Sequence, residues 1–360
     1  MNYSHCFVLS AFLIAAPAWC APGKVTRETF EFQGHKRTDY LFVPKDLPAG
    51  GVPLLVTLHG SGRDGSTLVD RWKHLAAEEK FILVGPDSLN SAFWIAPADG
   101  PDFLYDIVER LKKVYPIDPR RVYLFGHSAG AVFTLLMSMR ESQYFAAAAI
   151  HAGALRNYET VDGIAKAKRR IPMAIFCGTA DPFFPIAAVR ITRDTLRTAG
   201  FPVSLIEIPG HDHNYYAISS RMNRQAWEFL KQSVLPTDPY YEPYKLGIKS
   251  SPAVAKEFLG TWEGRLVQAG APLRFVVRIA NDESGASAVL VSPDQGGAEI
   301  PVTTIEQKDA KLMLIVTAGV GGEYRCEINA DGTELVGKWT QSGIAFPLKL
   351  RKKGDKPPRP

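Results

Sequence analysis

Long apolar runs, cysteines and strongly one-sided charge are all scarce in this chain of 360 residues. Residues 7–19 form an uncharged, mostly apolar stretch of 13 residues, whereas a membrane-spanning helix needs about 20. Only 4 cysteines occur, with no CxxC pair and a wide separation between Cys177 and Cys326. These absences argue against a multi-pass membrane protein, a disulfide framework and a cysteine-based metal site. We expect two buried thiols, no metal and no stable membrane insertion.

The charge balance is only mildly positive, with 42 Lys and Arg against 37 Asp and Glu. Residues 351–360 alone contain five basic residues and one acidic residue, so most of the excess lies at this end. A basic surface across a whole domain, as nucleic-acid binding requires, is therefore not expected, and we predict no nucleic-acid partner. We predict that residues 351–360 form a disordered basic tail.

The apolar stretch near the N-terminus is typical of a cleaved export signal. It is followed by small residues at Ala16 and Ala18, although the segment before it has no Lys or Arg. Trp19 precedes Cys20, where a lipoprotein signal needs a small residue. We therefore predict a signal peptide over residues 1–21 and a secreted or periplasmic location.

Two regions of different patterning follow. Over residues 24–232, continuous apolar runs such as 52–59 and 81–86 alternate with helical periodicity such as 102–115, which predicts a doubly wound, mostly parallel α/β sheet. Residues 233–254 are rich in Pro and Tyr and are predicted to be a linker. Residues 255–350 show only short β-type runs separated by turn signals, which predicts an all-β barrel or sandwich.

The strongest chemical signal is the segment Gly126-His127-Ser128-Ala129-Gly130, between a predicted strand and a predicted helix. A G-x-S-x-G sequence in this context holds a serine on a tight turn, with its hydroxyl above the sheet edge. A serine nucleophile needs a base, and the base needs an acid to orient it. We therefore expect two further partners after Ser128, at the ends of later strands.

Those partners are found in the expected order. Asp181 follows the predicted strand 173–177, and His213 follows the strand 204–208. His211 is the alternative base and Asp212 the alternative acid. We favour His213 because it leads directly into the last helix, and Asp181 because Asp212 is too close in sequence to orient His213 from the far side.

Backbone donors for an oxyanion are predicted at two turns. The glycine-rich segment 58–62 allows close approach of the backbone to a substrate, and Ser61 N–H and Ala129 N–H are the candidate donors, with the register at Ser61 open by one position. Trp94, in the loop after the next strand, either contacts substrate or anchors that loop. His59 either contacts substrate or is a structural histidine.

Four segments carry a family resemblance: LHGSG, YPIDPRRVYLFGHSAG, GTADPFFP and GHDHNYY. Together they resemble the α/β-hydrolase superfamily, and are similar to secreted polyhydroxybutyrate depolymerases and feruloyl esterases. The DHNYY ending is also similar to the DHSYY of esterase-D-type enzymes, which implies that His213 is the base. The resemblance implies ester hydrolysis through an acyl-enzyme, without metal or cofactor. Residues 255–350 resemble lipocalin-like β-domains appended to bacterial hydrolases.

These features predict an exported serine hydrolase that cleaves small or polymeric carboxylic esters with a Ser128–His213–Asp181 triad. One alternative is a peptidase of the prolyl-oligopeptidase type, which uses the same triad. The other is a non-catalytic protein that binds a ligand through its β-domain.

Overall fold

The computed structural model describes residues 23–96, 98–155, 163–243, 251–268, 271–283, 285–295, 299–316, 322–341 and 344–354. Its strands form two separate sheets, one of eight strands and one of nine. The predicted signal peptide, residues 1–21, lies outside the described residues. Among the helices of the described ranges, none is both long and apolar enough to cross a membrane.

The first sheet has the order β1-β2-β4-β3-β5-β6-β7-β8. Neighbouring strands from β4 to β8 in that order run parallel, while β1 and β2 add an antiparallel edge. The strands are β1 Val25–Phe32, β2 His35–Phe42, β3 Val52–Leu58, β4 Ile82–Pro86, β5 Ile117–His127, β6 Ala147–His151, β7 Met173–Gly178 and β8 Val203–Ile208. The helices are α1 Ser66–Glu79, α2 Pro101–Lys112, α3 Ala129–Arg140, α4 Ile186–Thr198 and α5 Tyr215–Leu230.

Burial explains why these segments form a doubly wound sheet. Every residue of β3, β4, β6 and β7 is buried, because separate apolar clusters cover the two faces of the sheet. Phe103 of α2 belongs to one cluster, and Trp72 of α1 and Trp227 of α5 belong to the other. The predicted α/β class is confirmed. The continuous apolar strands are the direct cause, since each must be covered on both sides.

The second sheet is a single antiparallel sheet of order β12-β11-β10-β9-β17-β16-β15-β14-β13. Its edge strands are joined by two residues: Val302 N–H donates to Ala288 in β11, and Thr303 N–H donates to Ile315 in β14. One curled sheet is therefore present rather than the two sheets of a sandwich. The strands are β9 Gly260–Gln268, β10 Ala271–Asp282, β11 Gly285–Val291, β12 Glu299–Pro301, β13 Thr304–Lys308, β14 Lys311–Val316, β15 Gly322–Ile328, β16 Glu334–Gln341 and β17 Ile344–Lys352.

Apolar side chains fill the inside of this curled sheet. Its largest buried members are Trp262, Phe258 and Tyr324, and the Tyr324 hydroxyl donates to a main-chain carbonyl oxygen at 3.0 Å. Cys326 is buried here and Cys177 is buried in the first sheet, both as free thiols, which confirms that expectation. Burial raises the pKa of each thiol to about 12.

Two predicted irregular segments are more ordered than expected. Tyr241, in the predicted linker, stacks on Tyr105 at 4.0 Å between ring centroids, and its hydroxyl bonds to Asp102. The predicted tail begins inside β17, where Arg351 pairs with Glu334 at 2.9 Å. Ordering a linker or tail residue requires a partner that offsets its lost conformational entropy, and these partners lie in distant sequence. Residues 244–250 and 355–360 lie outside the described residues.

Candidate active site

The turn between β5 and α3 has the geometry of a nucleophile elbow. Ser128 has φ 58° and ψ −119°, a strained left-handed conformation for a residue with a side chain. A Cβ added at Gly126 would lie 2.2 Å from the Gly130 carbonyl oxygen, and one added at Gly130 would lie 2.0 Å from the Leu58 oxygen. Only glycine fits at either position, so the two glycines let the strand and helix meet and hold Ser128 at the sheet edge.

Ser128, His213 and Asp181 form one continuous hydrogen-bond chain. The Ser128 Oγ and His213 Nε2 are 2.9 Å apart, and the His213 Nδ1 and Asp181 Oδ2 are 2.8 Å apart. The three residues come from the loops after β5, β8 and β7, which end at the same edge of the parallel sheet. The structure thus brings together the three residues that the sequence selects.

The Asp181 carboxylate is held by its own loop. It is completely buried, and its Oδ1 accepts N–H bonds from Phe183 and Phe184, both at 2.9 Å. The loops after β7 and β8 are also joined, because Ala180 N–H donates to the His211 carbonyl at 3.0 Å. One carboxylate oxygen is therefore fixed by the backbone and the other is left for His213. The rival acid, Asp212, has an exposed side chain and accepts a bond from the nearby Asn214 N–H.

The predicted oxyanion donors flank the nucleophile. A Cβ added at Gly60 would lie 3.3 Å from the Ser128 Cβ, so the turn that contains Ser61 lies directly beside the serine. Ala129 begins helix α3, where the first N–H groups have no partner within the helix. Within the described ranges, the N–H of Ser61 and that of Ala129 donate to no protein acceptor.

Trp94 and His59 are placed differently from the prediction that they contact substrate. Trp94 is 5% exposed and His59 is 1% exposed. The Trp94 indole N–H donates to the His59 carbonyl at 2.9 Å, and the His59 ring nitrogens bond to the Gly60 carbonyl and to Ser88. Both side chains face the protein and support the Gly60–Ser61 turn from behind, because their polar atoms are already paired there.

A row of three histidines lies behind the elbow, which sequence reasoning did not find as a unit. His127 Nδ1 is 3.1 Å from His151 Nδ1, and His151 Nε2 is 3.3 Å from His211 Nε2. Burial, reinforced by the neighbouring histidines, lowers the pKa of His127 to about 4 and that of His151 to about 2. These two rings are therefore neutral at pH 7. The available signal was that His127 and His151 end adjacent strands, and are paired in register.

One aromatic residue at the rim is strongly exposed. The Phe183 ring packs edge-on against His213 at 4.9 Å between centroids, although 72% of Phe183 is exposed. A large exposed apolar group beside a reactive triad is suited to contact an apolar part of a bound molecule. In the described part of the chain, no group of three or more His, Cys, Asp or Glu side chains has an arrangement that could hold a metal ion.

Comparison with known proteins agrees with this architecture. Residues 97–235 match the model of the Dienelactone hydrolase family. A bifunctional acetylxylan esterase/xylanase of Neocallimastix patriciarum is 33% identical over 153 residues, which cover 41% of this chain and 22% of that protein. Poly(3-hydroxyalkanoate) depolymerase C of Paucimonas lemoignei is 35% identical over 124 residues, covering 31% of this chain and 30% of the relative. The chain thus spans less than a third of either relative.

Similarity among solved structures is confined to the first sheet and its helices by extent. A structure from Bacteroides ovatus, titled as a putative dipeptidyl aminopeptidase IV, superposes with a TM-score of 0.50 and 13% identity, covering 58% of this chain and 36% of that one. At this identity the likeness concerns the fold alone. Strand order, the elbow at Ser128 and the family match together show that the region containing the first sheet is an α/β-hydrolase domain.

Proposed function

We propose that this protein is a serine hydrolase of carboxylic esters, with Ser128 as nucleophile, His213 as general base and Asp181 as the orienting acid. The observation that carries the proposal is the hydrogen-bond chain from Ser128 Oγ through the His213 ring to the Asp181 carboxylate, with distances of 2.9 and 2.8 Å. A neutral serine hydroxyl becomes a competent nucleophile when a histidine in this position accepts its proton.

Acylation begins when Ser128 Oγ attacks the ester carbonyl carbon and its proton passes to His213 Nε2. Asp181 stabilises the resulting imidazolium and fixes the tautomer by accepting the Nδ1–H. The carbonyl oxygen takes the electron pair of the broken π bond and is stabilised by the N–H groups of Ser61 and Ala129. When the carbonyl forms again, the alcohol leaves with the proton from His213, and Ser128 is acylated.

Deacylation repeats these steps with water. His213 removes a proton from a water molecule, which attacks the acyl carbon, and the same two N–H groups stabilise the second oxyanion. Collapse of this intermediate releases the carboxylic acid and returns the proton to Ser128 Oγ. The residues described here supply the nucleophile, the proton shuttle and the charge stabilisation that both half-reactions need.

The ester class is supported by the relatives. One is named an acetylxylan esterase and the other a poly(3-hydroxyalkanoate) depolymerase, and both names denote cleavage of carboxylic esters. The exposed Phe183 ring beside His213 is placed to contact an apolar part of such a substrate. A panel of acetyl, hydroxybutyryl and feruloyl esters is the direct way to rank acyl groups.

Ser128→Ala tests the proposal. We expect turnover of short p-nitrophenyl esters to fall to background, a loss of about 10⁶-fold when a nucleophile is removed. Ser220→Ala is the matched control, because Ser220 is an exposed serine on α5. A fluorophosphonate probe should label the wild type and the control but not Ser128→Ala.

Three outcomes would decide against the proposal. Near-wild-type ester turnover by Ser128→Ala would exclude Ser128 as the nucleophile. Faster cleavage of peptide anilides than of esters by the wild type would favour the peptidase alternative. Absence of both turnover and fluorophosphonate labelling in the wild type would favour a non-catalytic binding protein.

A further inference from the structure

A short loop after β4 lies between the candidate active site and the curled sheet. We call residues 88–96 the Trp94 loop. Its tip is a tight turn, in which Phe93 N–H donates to the Asn90 carbonyl at 3.0 Å and Ala92 N–H donates to the Asn90 side chain at 2.9 Å. Phe93 is thus projected in a fixed direction by its own turn.

On one side, the Trp94 loop is hydrogen-bonded to the Gly60–Ser61 turn that carries a proposed oxyanion donor. The Trp94 indole N–H donates to the His59 carbonyl at 2.9 Å, and Gly62 N–H donates to the Ser91 carbonyl at 2.7 Å. Ser88 N–H donates to His59 Nε2 at 3.1 Å. The residues before and after Ser61 are therefore held by the same loop.

Packing reinforces these bonds. The Trp94 ring lies 4.9 Å from the His59 ring and 5.5 Å from the Phe133 ring, measured between centroids. Phe133 belongs to α3, the helix that begins at Ala129 and carries the other proposed donor. Trp94 is thus wedged between the supports of the two N–H groups that would bind an oxyanion.

On the other side, the same loop enters the core of the curled sheet. Ile95 is only 2% exposed, and it belongs to the buried apolar cluster of that sheet, with Val254 and Phe258. Phe93 is partly buried and packs against the same cluster. Trp94 belongs instead to the apolar cluster of the α/β sheet. Consecutive side chains are thus buried in the cores of two different sheets.

The end of the loop is fixed by a buried ion pair. Asp99 is fully buried and forms an ion pair with Arg37, while its Oδ2 accepts the Ile95 N–H at 2.9 Å and its Oδ1 accepts the Leu89 N–H at 2.8 Å. With both ends held in this way, displacement of Ile95 from the curled sheet would be passed to the adjacent Trp94 rather than absorbed by a flexible base.

We propose that the curled sheet is a positioning element for catalysis, in which Ile95 anchors the Trp94 loop and thereby holds Ser61 N–H in its oxyanion-binding place. Ile95 is a positioning residue, since it acts through Trp94 and the Gly60–Ser61 turn. The inference rests on the proposed esterase function. Preorganised donors stabilise the oxyanion only when their position is fixed before reaction, and a displacement of about 1 Å can cost 10²-fold in rate.

Ile95→Ala tests this role in the full chain. We expect kcat for a short p-nitrophenyl ester to fall by about 10- to 100-fold, part of the loss typical of removing one oxyanion donor, with KM changed less than about twofold. Affinity for a trifluoromethyl ketone, which adds Ser128 Oγ and forms an oxyanion, should fall by the same factor as kcat/KM. Ile95→Val should restore most of both losses because it retains a branched apolar side chain.

Val336→Ala is the matched control, because it shortens a side chain of β16 that is 46% exposed on the curled sheet. It should leave kcat and ketone affinity unchanged. If Ile95→Ala does not fold, Phe93→Ala tests the same anchor, with an expected smaller fall in kcat and ketone affinity.

Wild-type kcat and ketone affinity in the folded Ile95→Ala or Phe93→Ala protein would overturn the inference, as would a rise in KM at unchanged kcat. Failure of the inference is distinguishable from failure of the esterase proposal. In the first case Ser128→Ala is inactive while the anchor variants are normal, and in the second Ser128→Ala itself retains activity.

Discussion

The two sheets differ in what they bury. At the strand ends of the α/β sheet, the buried residues include His59, His127, His151 and Asp181. In the curled sheet and its entry segment, the buried polar residues in the described ranges are uncharged: Ser251, Ser292, Thr303 and Thr304. Titratable groups that do chemistry are thus concentrated at one edge of one sheet.

Connectivity accounts for this difference. The parallel strands of the α/β sheet are joined by crossover helices, so several loops from distant sequence converge at one edge and contribute side chains to one site. The antiparallel strands of the curled sheet are joined to their sequence neighbours, and its interior is filled by Trp262, Tyr324 and other large apolar groups. Such an interior is suited to hold another segment in place.

Loss of the acid should produce the largest effect and would test whether the chemistry depends on the α/β sheet. We expect Asp181→Asn to lower kcat by about 10⁴-fold, because an amide favours the wrong tautomer of His213 and does not stabilise the imidazolium. Asp212→Asn is the control, since its side chain is 67% exposed and the amide oxygen can still accept from Asn214. Steady-state kinetics with equal losses in both variants would contradict the assignment of the acid.

Damage to the curled sheet should act first on stability. Leu335→Ala removes a side chain with 0% exposure from its core and should cost about 2–5 kcal/mol of unfolding free energy. The neighbouring Val336→Ala, at an exposed position, should change it by less than about 0.5 kcal/mol. Urea unfolding measures both, and equal effects would mean that the interior of this sheet is less tightly packed than described.

Residues that act through local pattern were predictable. The glycines around Ser128, the strand that precedes it, and the order of Asp181 and His213 are sequence features that each imply a position at the end of a strand, and the structure places the three side chains within hydrogen-bond distance of one another. The boundaries of α3 were also predicted, as Ala129–Arg140.

Features that depend on distant partners were missed. Strand β1 alternates partly buried and exposed residues and lies at the sheet edge, so it lacks the continuous apolar run that identified β3. The burial of Trp94 and the order of Tyr241 depend on rings far away in sequence, Phe133 and Tyr105. Periodicity reports which face of an element is apolar, and does not report which other element covers it.

The smallest expected effect is a difference in acid sensitivity between the two sheets. All 8 histidines of the chain lie at or before residue 213. Burial lowers the pKa of His151 from 6.5 to about 2, so below pH 6.5 the unfolded chain binds a proton there that the folded chain does not. Unfolding free energy should therefore decrease as pH falls from 6.5 toward 5, with the loss confined to the α/β sheet.

Comparison of variants isolates this contribution. Burial raises the pKa of Glu141 to about 8 and that of Asp39 to about 6, so these carboxyls favour the folded state as pH falls and oppose the histidine effect in the wild type. His151→Gln should reduce the loss of stability between pH 7 and pH 5, whereas His74→Gln, at an exposed position on α1, should not. Hydrogen–deuterium exchange should show this change in strands β3–β7 and not in β9–β17. Equal pH dependence in the wild type and His151→Gln would mean that the histidine row accepts protons in the folded state, which would contradict its burial as the cause of neutrality.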